Sequence, residues 1–288
     1  MSNRNSMARM LGQPPQTAGA DGGLATQQEN LFSFAVPTTF VELPSGGVFY
    51  PDGHPLHNQE TVEIKFMTAK EEDILTSTSL IKNNMVFDRL ISSILIDKSI
   101  DPKTLLVGDR NAIILEARKT AYGPDYETTF NCPACAERIE YRFNLDFFQN
   151  KELIFGEFEG VTLSSDGLFQ IQLPVSKITI DVKLLTVREE TILNKELDKK
   201  IKGKGSRGGE RNATDNLKSF IKRVNGTDDI GVVHSFVENM PAADARYARK
   251  VYKELVPDVD MTHEFACEKC GEIADLEVPL NVEFFWPK

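Results

Sequence analysis

The chain has only four cysteines, and they fall in two pairs of identical spacing, Cys132-Pro-Ala-Cys135 and Cys267-Glu-Lys-Cys270. Two residues between cysteines let both thiolates point into one tetrahedral shell while the intervening backbone amides stabilise the sulfur charge. Two such knuckles complete a four-thiolate site, and the expected cofactor is a structural zinc ion held by Cys132, Cys135, Cys267 and Cys270. The same thiolates also suit an iron–sulfur cluster, and the spacing leaves that alternative open. Two reduced pairs without metal, or two local disulfides, are the plainer readings. A thioredoxin-like pair stands at a helix start after a buried strand, whereas each pair here lies between strand-like segments. His263, four residues before Cys267, is a spare ligand, while His54, His57 and His234 have no evident partners and read as loop or surface residues.

Because Cys135 and Cys267 are 132 positions apart, one shared site requires two distant stretches to meet, and the sequence around the knuckles suggests how. Phe130-x-Cys132-x-x-Cys135 leads to Tyr141-x-Phe143-x-Leu145-x-Phe147, and Phe265-x-Cys267-x-x-Cys270 leads to Leu276-x-Val278-x-Leu280-x-Val282. Both tails alternate apolar and polar, as half-buried strands do. Upstream, Val62-Glu-Ile-Lys-Phe-Met-Thr-Ala-Lys-Glu-Glu-Asp-Ile-Leu75 matches Ile180-Asp-Val-Lys-Leu-Leu-Thr-Val-Arg-Glu-Glu-Thr-Ile-Leu193 at a constant offset. An internal repeat is the expected cause.

In each copy a strand (Val62, Ile64, Phe66) meets a capping box, Thr68-x-x-Glu71 or Thr186-x-x-Glu189, that opens a helix. The paired glutamates that follow Lys70 and Arg188 are therefore assigned to capping and helix-end electrostatics rather than catalysis. Helices are expected near Phe87 to Ile96 and Asp109 to Tyr122 in the first copy. The second offers Leu217 to Val224, Ile230 to Val237, and Pro241 to Leu255. The order strand, capped helix, further helices, strand, knuckle, strand makes the fold class α+β. The boundaries read as a flexible N-terminal arm over 1–36, a first repeat over 37–150 and a second over 151–288. A glycine-rich basic loop, 199–211, occurs only in the second copy. Its Gly-Lys-Gly-Ser lacks the spacing and the preceding strand of a phosphate loop.

With 33 basic and 43 acidic residues, a net charge of −10 argues against a surface built to hold nucleic acid. No apolar run is long enough to span a bilayer or form the core of an export signal, so a soluble, intracellular product is expected.

Val41-Glu-Leu-Pro-Ser-Gly-Gly47, Ile64-Lys-Phe-Met-Thr-Ala-Lys-Glu-Glu-Asp-Ile-Leu75 and the segment from Val107 through Cys135 resemble the T-even-type baseplate proteins of contractile-tailed bacteriophages, a group that includes a central hub or spike-complex component. The resemblance covers about residues 37–150, and the second half matches through the internal repeat. It implies a structural or assembly component of the baseplate hub region, located in the virion tail and assembled in the host cytoplasm. Such a protein meets other tail proteins, has no small-molecule substrate and catalyses nothing. The absence of a Gly-x-Ser-x-Gly elbow, a His-Glu-x-x-His helix and a dinucleotide-binding glycine pattern agrees. The aromatic C-terminus, Phe284-Phe285-Trp286, reads either as an interface anchor or as a buried terminal strand. Two competing functions are a zinc-ribbon nucleic-acid binder using the 199–211 loop and a thiol-disulfide enzyme using one knuckle.

Overall fold

Alternation of Val62 and Ile64 with polar neighbours makes Thr61–Lys65 a half-buried strand (β2), and it pairs antiparallel with Thr38–Glu42 (β1). The computed structural model describes residues 36–152, 160–164, 166–203 and 213–286. The expected N-terminal arm therefore falls, but for its last residue, outside the described residues, as does the greater part of the 199–211 loop. Residues Thr38–Lys288 form one unit, distinct from Met1–Pro37.

After β2 come helices α1 (Ala69–Thr76), α2 (Thr78–Lys82), α3 (Val86–Ile94) and α4 (Val107–Tyr122). Strands β3 (Asp125–Asn131) and β4 (Arg138–Asn144) then form a hairpin, followed by β5 (Gln149–Asn150). The later stretch holds an antiparallel four-stranded sheet in the order β6 (Val161–Leu163), β7 (Phe169–Gln172), β8 (Thr179–Val182), β9 (Ile221–Val224). Its helices are α5 (Val187–Gly203), α6 (Ala213–Phe220), α7 (Ile230–Asn239) and α8 (Ala242–Leu255). The chain then runs through β10 (Val259–Asp260), which pairs with β5, to a second hairpin of β11 (Thr262–Ala266) and β12 (Ile273–Glu277). Buried side chains from both stretches make one continuous core.

Several expected boundaries move. Ile221–Val224 is strand rather than helix, because Ile221 and Val224 are buried by pairing with Val182 and Ile180. Strand β4 stops at Asn144, whose side chain accepts from the Asp146 amide and turns Leu145–Phe147 into a 3-10 helix. In the same way β12 stops at Glu277, and Asn281 caps a 3-10 turn over Val282–Phe285. Helix α5 extends to Gly203, so residues 199–203 are helical rather than loop. The C-terminal aromatics form neither a terminal strand nor an exposed anchor: Phe284 and Phe285 are fully buried in that 3-10 turn.

Helix α4 is the central post. It buries residues all round, including Asp109 and Arg118. Arg118 donates from Nε to the Phe284 carbonyl (3.0 Å), from Nη1 to that of Gly123 (2.9 Å) and from Nη2 to that of Asp125 (3.1 Å). Three accepting carbonyls compensate the burial of one guanidinium. Asp109 accepts from the Ser45 amide (3.0 Å), Ser45 Oγ (2.7 Å) and the Tyr50 hydroxyl (2.6 Å), which fastens the Leu43-Pro-Ser-Gly-Gly47 turn to the start of α4. Gly47 has φ +73°, and a side-chain carbon there would lie 2.4 Å from the Gln59 amide, so the turn requires glycine. In the later stretch Asp244, at the start of α8, accepts from the amides of Val175 (2.8 Å) and Ser176 (2.9 Å) in the Leu173-Pro-Val-Ser176 turn.

The two stretches interlock beside α4. Val107 donates to the Leu185 carbonyl (3.2 Å) and Val187 to that of Leu105 (2.9 Å). A Cβ on Gly108 would lie 2.0 Å from the Pro257 carbonyl oxygen, so only glycine permits this approach. Arg110 pairs with Glu190, and Asn111 Nδ2 donates to Asp258 Oδ1 (3.0 Å).

Both expected capping boxes form. Glu71 accepts from the Thr68 amide (2.9 Å), Thr68 Oγ1 (2.6 Å), Lys65 Nζ (2.8 Å) and Ser93 Oγ (2.5 Å). Glu189 accepts from the Thr186 amide (3.0 Å) and from Lys183. Burial would raise the Glu71 pKa, but the hydrogen bonds from Lys65, Ser93 and Thr68 outweigh it and hold the carboxyl at about 2, below its ordinary 4.5. A depressed folded pKa stabilises above the unfolded value and loses that contribution as pH falls through the folded one. Stability should therefore decline between pH 4.5 and about 2, by at most about 3 kcal/mol from this group. Glu71→Gln should be less stable at neutral pH and show a flatter decline on the acid side, which denaturant melts across that range would measure.

Candidate metal centre

Each knuckle is the turn of a hairpin, β3–β4 or β11–β12. In the first, the Cys132 amide donates to the Glu137 carbonyl (2.8 Å) and the Ala136 amide to that of Cys132 (2.9 Å). In the second, the Cys267 amide donates to the Glu272 carbonyl (2.8 Å) and the Gly271 amide to that of Cys267 (2.8 Å). Ala136 and Gly271 hold the same left-handed backbone, at φ +56° and +75°. This closed turn puts both sulfurs of a knuckle on one side.

The two hairpins then face each other. Phe130 and Phe265 meet edge to face with ring centroids 4.9 Å apart, and Tyr141 packs on Phe265 at 5.7 Å. With Cys132 and Cys267, both buried, they form a small apolar cluster separate from the main core. Lys269 of one turn pairs with Glu137 of the other at the surface. The result brings together all four cysteines expected as a set. Their sulfurs lie within 4.8 Å of one another, with Cys132–Cys270 and Cys135–Cys267 each at 3.8 Å. A tetrahedral ion with metal–sulfur bonds of about 2.3 Å requires sulfur–sulfur edges of about 3.8 Å. The donor set and its spacing are compatible with one metal ion.

The electrostatics of the cluster are uneven. The Cys135 amide, with that of Ala134, stabilises the Cys132 sulfur and lowers its pKa to about 7. For Cys270 the Glu272 amide pulls the same way, yet burial and hydrogen bonds to the sulfurs of Cys267, Cys135 and Cys132 prevail and push it up to about 12. The backbone thus favours charge on Cys132, and the neighbouring sulfurs disfavour it on Cys270.

His263 does not join the sulfurs. Its Nε2 lies 2.6 Å from the Tyr141 hydroxyl, so it ties one hairpin to the other by a hydrogen bond. His54 and His57 also have partners, against the expectation that they lack them. His54 Nε2 pairs with Thr104 Oγ1 (2.9 Å) and its ring stacks on Tyr50, while His57 Nδ1 bonds the Tyr50 carbonyl (2.6 Å).

A family model described as T4 bacteriophage base plate protein matches residues 36–286. The chain belongs to that family. Comparison with curated proteins and with solved structures returned no match. Family membership makes this a phage baseplate protein, points to a structural role, and implies a place in the virion tail among other tail proteins. Among the described residues no helix is long and apolar enough to cross a membrane. The groups that reading of the sequence missed in this baseplate protein are Ser45, Tyr50, Asp109, Arg118 and Asp244. All serve packing: Ser45, Tyr50 and Asp109 around the Leu43-Pro turn, Asp244 at the Leu173-Pro turn, and Arg118 among three carbonyls.

Since His263 bonds Tyr141 rather than sulfur, His263→Gln should cost about 0.5–1.5 kcal/mol in a denaturant melt and leave the reactivity of the four thiols unchanged. A rise in thiol reactivity equal to that of a cysteine variant would make it a ligand instead.

Proposed function

We propose that this baseplate protein is a non-catalytic scaffold of the hub region, clasped by one zinc ion on Cys132, Cys135, Cys267 and Cys270. The observation that carries the proposal is the convergence of four sulfurs from two hairpins, with Cys135 and Cys267 132 positions apart, onto the edge length of a tetrahedron about a single ion. In a [2Fe–2S] or [4Fe–4S] cluster the four thiolates are spread over two or more irons and cannot all stand within 4.8 Å of one another, which favours a single ion such as zinc. The four thiolates close the shell and leave no position for substrate, as in structural sites. Zinc needs reduced cysteines, which suits assembly in the host cytoplasm.

On this reading the scaffold consists of two copies of one α+β unit, over 37–150 and 151–288, preceded by an arm over 1–36. Several paired features support it. Lys65 and Glu71 are matched by Lys183 and Glu189, each with its threonine cap. The Leu43-Pro turn on Asp109 is matched by the Leu173-Pro turn on Asp244. The knuckle turns share their hydrogen bonds, and Asn144-Leu-Asp-Phe-Phe148 after one is matched by Asn281-Val-Glu-Phe-Phe285 after the other. The glutamates with catalytic potential, Glu71 and Glu189, are taken up by caps and lysines, which accords with a scaffold rather than an enzyme.

A metal clasp across two halves makes both knuckles one energetic unit. A strong zinc chelator should lower the melting temperature by about 10 °C or more. Cys132→Ser and Cys267→Ser should each cause a similar loss, and the double variant no more than either single one. Additive losses from the two variants, with no effect of chelator, would refute the clasp.

A further inference from the structure

Between β2, the start of α1 and the end of α3 lies an open pocket of about 500 Å³ whose lining contains Lys65, Lys70, Arg89 and Lys98 and no carboxylate. The chain as a whole carries a net charge of −10, so the patch opposes the general surface charge. Two of the four cations are already engaged. Lys65 pairs with the buried Glu71, and Lys98 Nζ donates to the carbonyls of Ser92 (2.9 Å), Ser93 (3.1 Å) and Leu95 (2.5 Å) at the end of α3. Lys70 and Arg89 are exposed and make no ion pair or side-chain hydrogen bond among the described residues. At the position matching Lys70 in the later stretch, Arg188 does pair, with Asp101 at 3.2 Å. The crowding of like charge is felt by Lys98, whose pKa is lowered by burial and by the neighbouring Lys65 and Lys70. The pocket is not purely polar: Ile74 and Ile96 line it, and Ile96 is 44% exposed.

We infer that this pocket is a docking site for an acidic segment of a neighbouring tail protein, with carboxylates between Lys70 and Arg89 and aliphatic groups against Ile74 and Ile96. Lys70 and Arg89 supply unpaired charge for the carboxylates, and the isoleucines receive the methylenes of a glutamate or a flanking leucine. A nucleic acid fits less well, because its regularly spaced phosphates need a long cationic track and this pocket offers two unpaired cations beside an apolar wall. The proposal rests on the scaffold reading for the class of partner. The pocket itself involves none of the metal-site residues, so the two can fail separately.

The test uses the full chain as purified, with its metal content measured, and a fluorescein-labelled Glu-Leu-Glu-Glu-Leu-Glu peptide followed by anisotropy at low and physiological salt. Lys70→Ala/Arg89→Ala should weaken binding about tenfold or more. Lys222→Ala/Lys250→Ala, which removes the same charge elsewhere on the surface, should change it by less than about twofold. Both pairs are exposed, and unchanged melting temperatures would confirm that they fold. Equal affinity of the Lys70/Arg89 variant and the parent, or equal loss in the two variants, would overturn the site. Tighter binding of a short labelled DNA duplex through Lys70 and Arg89 would replace the acidic peptide by nucleic acid. Full displacement of the peptide by an equal concentration of inorganic phosphate would reduce the pocket to an anion site.

Discussion

Four sulfurs within 4.8 Å of one another are tolerable as thiols or around a cation, but not as four bare anions. That constraint sets the terms for the end of the molecule where the hairpins meet. The backbone amides of the first knuckle favour charge on Cys132, while the other sulfurs oppose it on Cys270. Beneath them lies an apolar cluster of a few residues, dominated by Phe130 and Phe265. So small a cluster would hold two hairpins weakly by itself. The proposed zinc supplies a cohesive term of a different order, since structural sites contribute on the order of 10 kcal/mol.

Away from the knuckles the two stretches are joined by shape and by satisfied polar groups. Helix α4 is buried on nearly every side, and its buried ionisable groups all have partners: Arg118 has three carbonyls, and Asp109 a turn and a tyrosine. Such pairings cost little when complete and much when broken, so they fix one arrangement of the chain. Gly108 lets the later stretch pass within contact of α4, and the bonds of Val107 and Val187 seal the crossing. The core shared by both stretches holds them as one body.

The chemistry-bearing residues were legible in the sequence because their signals are local. Cys-x-x-Cys fixes a turn, and Thr-x-x-Glu fixes a strand-to-helix junction, whatever lies elsewhere in the chain. That the two knuckles should meet is an expectation drawn from reading the two stretches as copies, since spacing alone cannot give it. What escaped was set by tertiary contact. Ile221–Val224 has the composition of a helix end, yet pairing with Ile180 and Val182 makes it a strand. Asn144 ends β4 because its side chain caps the next turn, although the apolar alternation runs on to Phe147. Asp109 and Arg118 look like surface charges on a helix, and only the fold shows that both are buried.

The central claim is that one metal ion joins the two knuckles, and elemental mass spectrometry on protein purified without added metal tests it most directly. The account predicts about one zinc per chain, lost in Cys132→Ser and equally in Cys267→Ser. A well-folded protein without metal, or zinc retained when one whole knuckle is removed, would contradict it.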